Sequence, residues 1–124
     1  GLLFLDAYGG WEAYEPLEEE KELQQFTYIW DQHKVDPITG EVLNYIHFAF
    51  PDGTRMGRAF TYDWRLWSLP EIREILLEAG FSQVDVYWEG WDEKAEEGNG
   101  KFKKAKHAEN CAGWICYLVA DTLP

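Results

Sequence analysis

Basic residues are scarce in this chain of 124 residues: 11 Lys and Arg stand against 23 Asp and Glu, for a net charge of −12. Binding to nucleic acid or to an anionic membrane needs clustered cations to replace counterions, so that balance argues against both partners. The one basic patch, Lys101 to Lys106, is short and reads as a solvated loop. Cysteine is almost absent. Cys111 and Cys116 lie five apart in a stretch with strand character, so they point to opposite faces and are not expected to bond to each other. They read as small buried hydrophobes, and two thiols fit a reducing cytoplasm. No run approaches the roughly 20 apolar residues that a membrane-spanning helix requires. A signal-peptide pattern is missing as well, because Gly1-Leu2-Leu3-Phe4-Leu5 is followed at once by Asp6. Nor does Met stand at the start. Gly1-Leu2 opens directly into a strand, which leads to the expectation of a piece of a longer protein.

Aromatic residues are plentiful, at 17% of the chain with seven Trp, and 46% of residues are hydrophobic. A single domain, or part of one, can build a core from that stock. The clearest local signal is Ser68 to Trp88. Ser68 and Glu71 make a capping box, Pro70 sits in the first turn, and Leu69, Ile72, Ile75, Leu76 and Ala79 recur at helical spacing. Gly80 supplies the left-handed stop, with Phe81 placed to pack back on the last turn. Val84, Val86 and Trp88 then alternate with Gln83, Asp85 and Tyr87, as in a half-buried strand.

Before this unit, Leu2 to Ala7 is an apolar run broken only by Asp6, the pattern of a central strand covered on both faces. Trp11 to Gln25 is polar. Its acidic run, Glu18 to Glu20, reads as a solvated loop or helix face, and no metal site is expected there, because no convergent ligands flank it. Residues 26–62 predict a three-stranded antiparallel meander: Thr27 to Val35, Glu41 to Phe50 and Thr54 to Tyr62, joined by Asp-Pro-Ile-Thr-Gly and Pro-Asp-Gly turns. Tyr28, Trp30 and Gln32 share one face of the first strand. Leu43, Tyr45 and His47 oppose Val42, Ile46 and Phe48 in the second. Both faces carry aromatics, so one is expected to pack on the body and the other to line something, although packing alone accounts for the pattern too. Glu89 to Asn110 has a mobile-loop composition, and Gly113 to Ala120 is a last strand that can return antiparallel beside Val84 to Trp88.

This order resembles the C-terminal half of class I S-adenosylmethionine-dependent methyltransferases. The motifs that carry the resemblance are Gly1-Leu2-Leu3-Phe4-Leu5-Asp6, similar to the family's fifth strand, and Leu69 through Val86, with its E-A-G-F stop and V-x-V strand. The family slots an antiparallel last strand between its fifth and sixth, and Gly113 to Ala120 would be that strand. The resemblance implies an α/β fold: a partial Rossmann-like sheet of the last three strands plus one capped helix, with the three-stranded meander of 26–62 inserted as a substrate-side cap, as in small-molecule N-methyltransferases. The family's glycine-rich loop and the acidic residue after its second strand have no counterpart here. The implied role is therefore the substrate-side portion of an enzyme whose S-adenosylmethionine is bound mainly by another half, and a chain inactive alone.

Methyl transfer from a sulfonium needs positioning and water exclusion more than covalent chemistry. The candidate substrate-binding residues are Tyr8, at the end of the first strand where open α/β sheets bind ligands; Tyr28, Trp30 and Gln32 on the cap; and Arg65 and Trp67 at the junction, Arg65 able to clamp a carboxylate or phosphate. Core packing is the alternative for each aromatic, and an ion pair with Asp63 or an acidic loop residue for Arg65. His47 is the candidate general base, against a packed or surface histidine. Two other readings stand beside the enzyme: an aromatic-rich binding module, for carbohydrate for example, with Trp as stacking platforms, and a structural or assembly domain. An exposed Leu2 to Ala7 edge is expected to seek a partner, giving a homodimer, with domain swapping as one route to it.

Overall fold

Ser68 sets the start of the single α-helix among the described residues. Its hydroxyl accepts the Glu71 N–H, while the Glu71 carboxylate accepts the Ser68 N–H, the reciprocal pair that the sequence predicts. The helix ends in a Schellman motif. Gly80 adopts φ 113°, its N–H reaches Leu77 O, and Phe81 N–H reaches Leu76 O. In the computed structural model, which describes residues 1–122, this helix lies among eight strands. In chain order they are β1 (Leu2–Gly9), β2 (Leu17–Glu22), β3 (Thr27–Val35), β4 (Glu41–Ala49), β5 (Arg55–Arg65), the helix α1 (Leu69–Glu78), β6 (Gln83–Asp92), β7 (Glu97–Ala105) and β8 (Trp114–Asp121). A 3-10 turn spans Trp11–Tyr14.

The chain divides into two units, one of residues 1–12 with Trp67 onward, the other of residues 13–66. The first holds the sheet β1-β8-β6-β7 and α1. Every neighbouring pair in it is antiparallel, so β8 runs between β1 and β6 and opposes both, and those two point the same way. Cys116, Leu118 and Ala120, alternate residues of β8, form the core with Val84 of β6 and Leu76 of α1. Burial of these groups at about 25 cal/mol per Å² of apolar surface is what holds the helix on the sheet. Leu69, Ile72, Phe81, Val86 and Trp88 close around them. The intervening residues Ile115 and Tyr117 face the other way and are exposed.

The second unit is a meander of four strands, β2-β3-β4-β5. Asp36 shapes the β3–β4 turn: its Oδ1 accepts the N–H groups of Ile38 at 2.9 Å and Thr39 at 3.3 Å. Asp52 does the same in the next turn, accepting the Thr54 N–H at 2.9 Å. Each carboxyl is held below its ordinary value, Asp36 by the backbone N–H groups and Asp52 by the Thr54 hydroxyl and N–H.

The α/β expectation is overturned. Strands make up 57% of the described residues and helix 11%, in two antiparallel four-stranded sheets with one helix, and not a partial Rossmann-like sheet of three strands bearing an inserted three-stranded meander. The difference comes from two polar stretches that pair as edge strands. The acidic segment read as a loop or helix face is β2, laid along β3 from Leu17↔Gln32 to Glu22↔Thr27. Much of the lysine-bearing segment read as a loop is β7, laid along β6. Edge strands keep one side in water, where charged side chains cost little and discourage further pairing. β1, expected to be central, is the other edge of its sheet, with Leu2, Leu3, Phe4 and Leu5 all exposed. β8 does run antiparallel beside Val84 to Trp88.

Candidate functional site

Antiparallel pairing sorts the side chains of the meander onto two faces. Tyr28 stands opposite Phe48, Trp30 opposite Ile46 and Gln32 opposite Asn44. The same rows continue onto β5, with Phe48 opposite Met56, Ile46 opposite Phe60 and Asn44 opposite Tyr62. The result is a continuous aromatic face. Phe26 meets Phe48 edge-on at 5.3 Å, and Phe48 meets Phe60 edge-on at 6.3 Å. Trp30 lies 6.1 Å from Tyr62, and Tyr62 4.4 Å from Trp64. Edge-to-face and offset contacts of this kind suit the ring quadrupoles. The face is only partly covered: Phe60 and Met56 are each 52% exposed and Trp64 42%. Burial, then the neighbouring Tyr62 phenol, pushes the Tyr28 hydroxyl above its ordinary value of 10.0.

Gln32 is buried at the end of this face, and its amide is spent internally. It accepts the Trp30 indole N–H at 3.0 Å and donates to the Glu15 carbonyl at 2.7 Å. Its role is to fix the Trp30 ring. Tyr28, Trp30 and Gln32 are thus brought together as expected for one strand face, and they are joined by Phe48, Phe60, Tyr62 and Trp64. Those four lay outside the sequence-derived set. The signal that could have found three of them is the period-two series Phe60, Tyr62, Trp64.

Arg65 ends β5 opposite Glu41, its side chain beside Gly40. Tyr8 and Trp67 belong to the other unit. Tyr8 pairs with Ile115, and alternation sets it on the sheet face away from the α1 core. Trp67 immediately follows β5 and Leu66 and is partly exposed.

His47 stands on the opposite face of the meander, across from Ile29. Both of its ring nitrogens are engaged. Nδ1 accepts the Arg58 backbone N–H at 2.7 Å, so the ring proton lies on Nε2, which donates to Asp31 Oδ2 at 2.9 Å. β5 makes room for this by bulging. Gly57, Arg58 and Ala59 together face His47, and Arg58 takes φ 50°, a left-handed conformation unusual for a side-chain-bearing residue. The Arg58 guanidinium then lies 4.5 Å from the Tyr45 ring centroid. A histidine so held has no lone pair to offer a substrate, and this geometry removes His47 as a general base in the folded sheet.

The same logic bears on metal. Glu18, Asp31 and His47 each place one ligand atom within 4.8 Å of the others. A histidine bound to a metal through one nitrogen carries a proton on the other and donates it to an acceptor. Here the other nitrogen meets an N–H donor. A metal on Nε2 would force two N–H groups against each other, so the trio is a hydrogen-bonded histidine–carboxylate pair with an acidic neighbour. Asp31 and Glu18, directly paired across β2 and β3, were missed because only the register brings them to His47.

No helix of the described residues is long and apolar enough to cross a membrane. No family model, curated protein or solved structure matches this chain.

Proposed function

We propose that this chain is the C-terminal, substrate-side portion of an S-adenosylmethionine-dependent methyltransferase acting on a small-molecule acceptor. The observation that carries the reading is the path through the first unit: a strand containing Leu5-Asp6, a capped helix stopped by Glu78-Ala79-Gly80-Phe81, and a last strand running antiparallel between β1 and β6. The antiparallel, mostly β architecture of the chain is compatible with that role, since what the role needs here is a stiff surface for the acceptor. The aromatic face of the meander supplies one, with Tyr28 and Trp30 at its centre and Gln32 holding Trp30 in place.

The role places the cofactor on another half, and three glycines among the described residues are closed by protein. Gly9 and Gly10 are glycines because a Cβ would strike the Trp114 ring at the first and the Ala112 backbone at the second. Gly98 is closed by the Glu89 carboxylate. Each close approach is to protein atoms, so no cofactor contact is assigned to this chain, and it is expected to be inactive alone. The two cysteines, neither in a disulfide, accord with a cytoplasmic setting.

Calorimetry with S-adenosylhomocysteine tests the reading on two samples, this chain and the full product of the gene that contains it. Binding by the full product and none by this chain is the expected result. No binding by either, at millimolar ligand, would refute it. The second reading, an aromatic ligand-binding module without catalysis, is favoured by the exposure of Phe60, Met56 and Trp64. It predicts small-molecule binding by this chain with no response to the cofactor product in either sample.

A further inference from the structure

We propose that copies of this chain associate edge to edge, the acidic strand β2 of one adding antiparallel to the lysine-bearing strand β7 of another. Among the described residues each of these strands closes one side of its sheet, β2 paired with β3 alone and β7 with β6 alone. Their outer backbone groups are open to a further strand, the means by which an extended segment is recruited to a sheet. Charge divides the two edges. Glu18, Glu19, Glu20 and Glu22 stand on β2 with Lys21 as its one cation, and all five are exposed. Lys101, Lys103 and Lys104 stand exposed on β7, whose one acid, Glu97, is at its far end. Like charges keep each edge from adding to its own kind, and between the two edges that barrier is reversed.

Order fits as well as sign. In an antiparallel ladder with Lys103 opposite Glu20, Lys104 meets Glu19 and Phe102 meets Lys21. Both lysines in the regular part of β7 then face a glutamate, and the one lysine of β2 faces a ring and not another cation. Lys101 falls toward Glu22, where the β6–β7 register shifts. The best parallel ladder, Lys103 opposite Glu19, needs Lys106 for its third pair, one residue past the end of β7, and parallel pairing is the less stable. Lys104 also reaches Asp85 Oδ2 at 3.4 Å, an exposed pair too weak to withhold it.

β2 and β7 are different surfaces, so the contact is heterologous. A copy bound through its β2 still offers its β7, and association runs on into rings or open chains. The net charge of −12 opposes this at a distance. Salt screens repulsion beyond about 8 Å under physiological conditions, while the strand pairs are in contact. One strand pair is far smaller than the roughly 1,000 Å² of a stable interface, so a dissociation constant of about 0.1–1 mM is expected. The proposal does not depend on the methyltransferase reading.

Two experiments test it. An equimolar mixture of ¹⁴N and ¹⁵N copies, at a concentration near the dissociation constant, is treated with a carbodiimide, which joins lysine to carboxylate at zero length. Links Lys103–Glu20, Lys104–Glu19 and Lys101–Glu22 are expected, about half of them joining one heavy to one light peptide, as random pairing of copies requires. Absence of these links, or links that never mix the isotopes, would overturn the contact between copies; a Lys106–Glu22 link in place of Lys101–Glu22 would overturn its antiparallel register. The second experiment exchanges charge. Glu19→Lys with Glu20→Lys makes both edges basic, and Lys103→Glu with Lys104→Glu makes both acidic. Neither variant should associate through these edges, and the wild-type chain should show about twice their weight-average mass in sedimentation at a concentration equal to the dissociation constant. Mixing the two variants should restore the wild-type mass, which a loss of fold in either would prevent. Contact through β1 is common to every sample and drops out of the comparison. A mixture no heavier than its components contradicts the proposal.

Discussion

Replacing His47 in three ways separates its two hydrogen bonds. His47→Asn puts an amide oxygen close to where Nδ1 stands, and that oxygen can go on accepting the Arg58 N–H. His47→Gln reaches toward the Nε2 position and can go on donating to Asp31. His47→Leu does neither. The bond to the carboxylate is charge-assisted and contributes about 1.5–3 kcal/mol; the bond from the Arg58 amide is neutral and contributes about 1 kcal/mol. His47 is only 6% exposed, so a group left without its partner loses water as well. The asparagine variant should therefore cost about 2 kcal/mol and leave the β5 bulge intact. The glutamine variant should cost about 1–2 kcal/mol and release it. The leucine variant should cost about 3–4 kcal/mol, a large share of the roughly 5–15 kcal/mol typical of a domain. Urea denaturation gives the stabilities, and hydrogen exchange at the Arg58 amide gives the bulge: protected in wild type and in His47→Asn, fast in His47→Gln and His47→Leu. Equal Arg58 exchange in His47→Asn and His47→Leu would refute the assigned tautomer, and with it the argument that removes His47 from catalysis and from metal binding.

Three further outcomes are expected. Cys116 is fully buried and its thiol is pushed up to about 11, by burial and then by Asp6, so a thiol reagent at about pH 8, near the ordinary thiol value, should label Cys111 in the native chain and Cys116 only in denaturant. Asp36 has its carboxyl lowered from 3.8 on folding, so its charged form contributes stability above that pH, and the contribution disappears as pH falls through the lower folded value; the advantage of wild type over Asp36→Asn in urea should shrink below pH 3.8. The uncovered β1 edge, with Phe4 65% and Leu2 60% exposed, should make this chain a dimer in light scattering, and Phe4→Lys should favour the monomer; a wild-type monomer at high concentration contradicts this.

What the sequence revealed were the elements whose cause is local. The α1 box, its glycine stop and the two turns each depend on side chains bonding to backbone within a few residues, and the structure places all of them. β2 and β7 were illegible for the opposite reason. Glu18-Glu19-Glu20 and Lys103-Lys104 have weak strand preference, and only a neighbouring strand with unpaired backbone groups extends them. The same dependence on distant partners hid His47's environment. The Arg58 N–H from the bulge in β5 and the Asp31 carboxylate on β3 make it a held group, and neither lies near it in sequence. The aromatic face was half legible, through Tyr28 and Trp30 at period two.

The strand order of the first sheet also has a consequence for the time course of folding. β1 is made long before β8, yet β8 is its pairing partner, from Leu2↔Asp121 to Gly9↔Trp114. Closing so long a separation carries an entropic cost that grows with its logarithm, and such contacts slow folding. The meander can meanwhile assemble from adjacent hairpins, each closed by a short turn. During synthesis β1 therefore cannot meet β8, its partner within these residues, until residues 114–121 have been made.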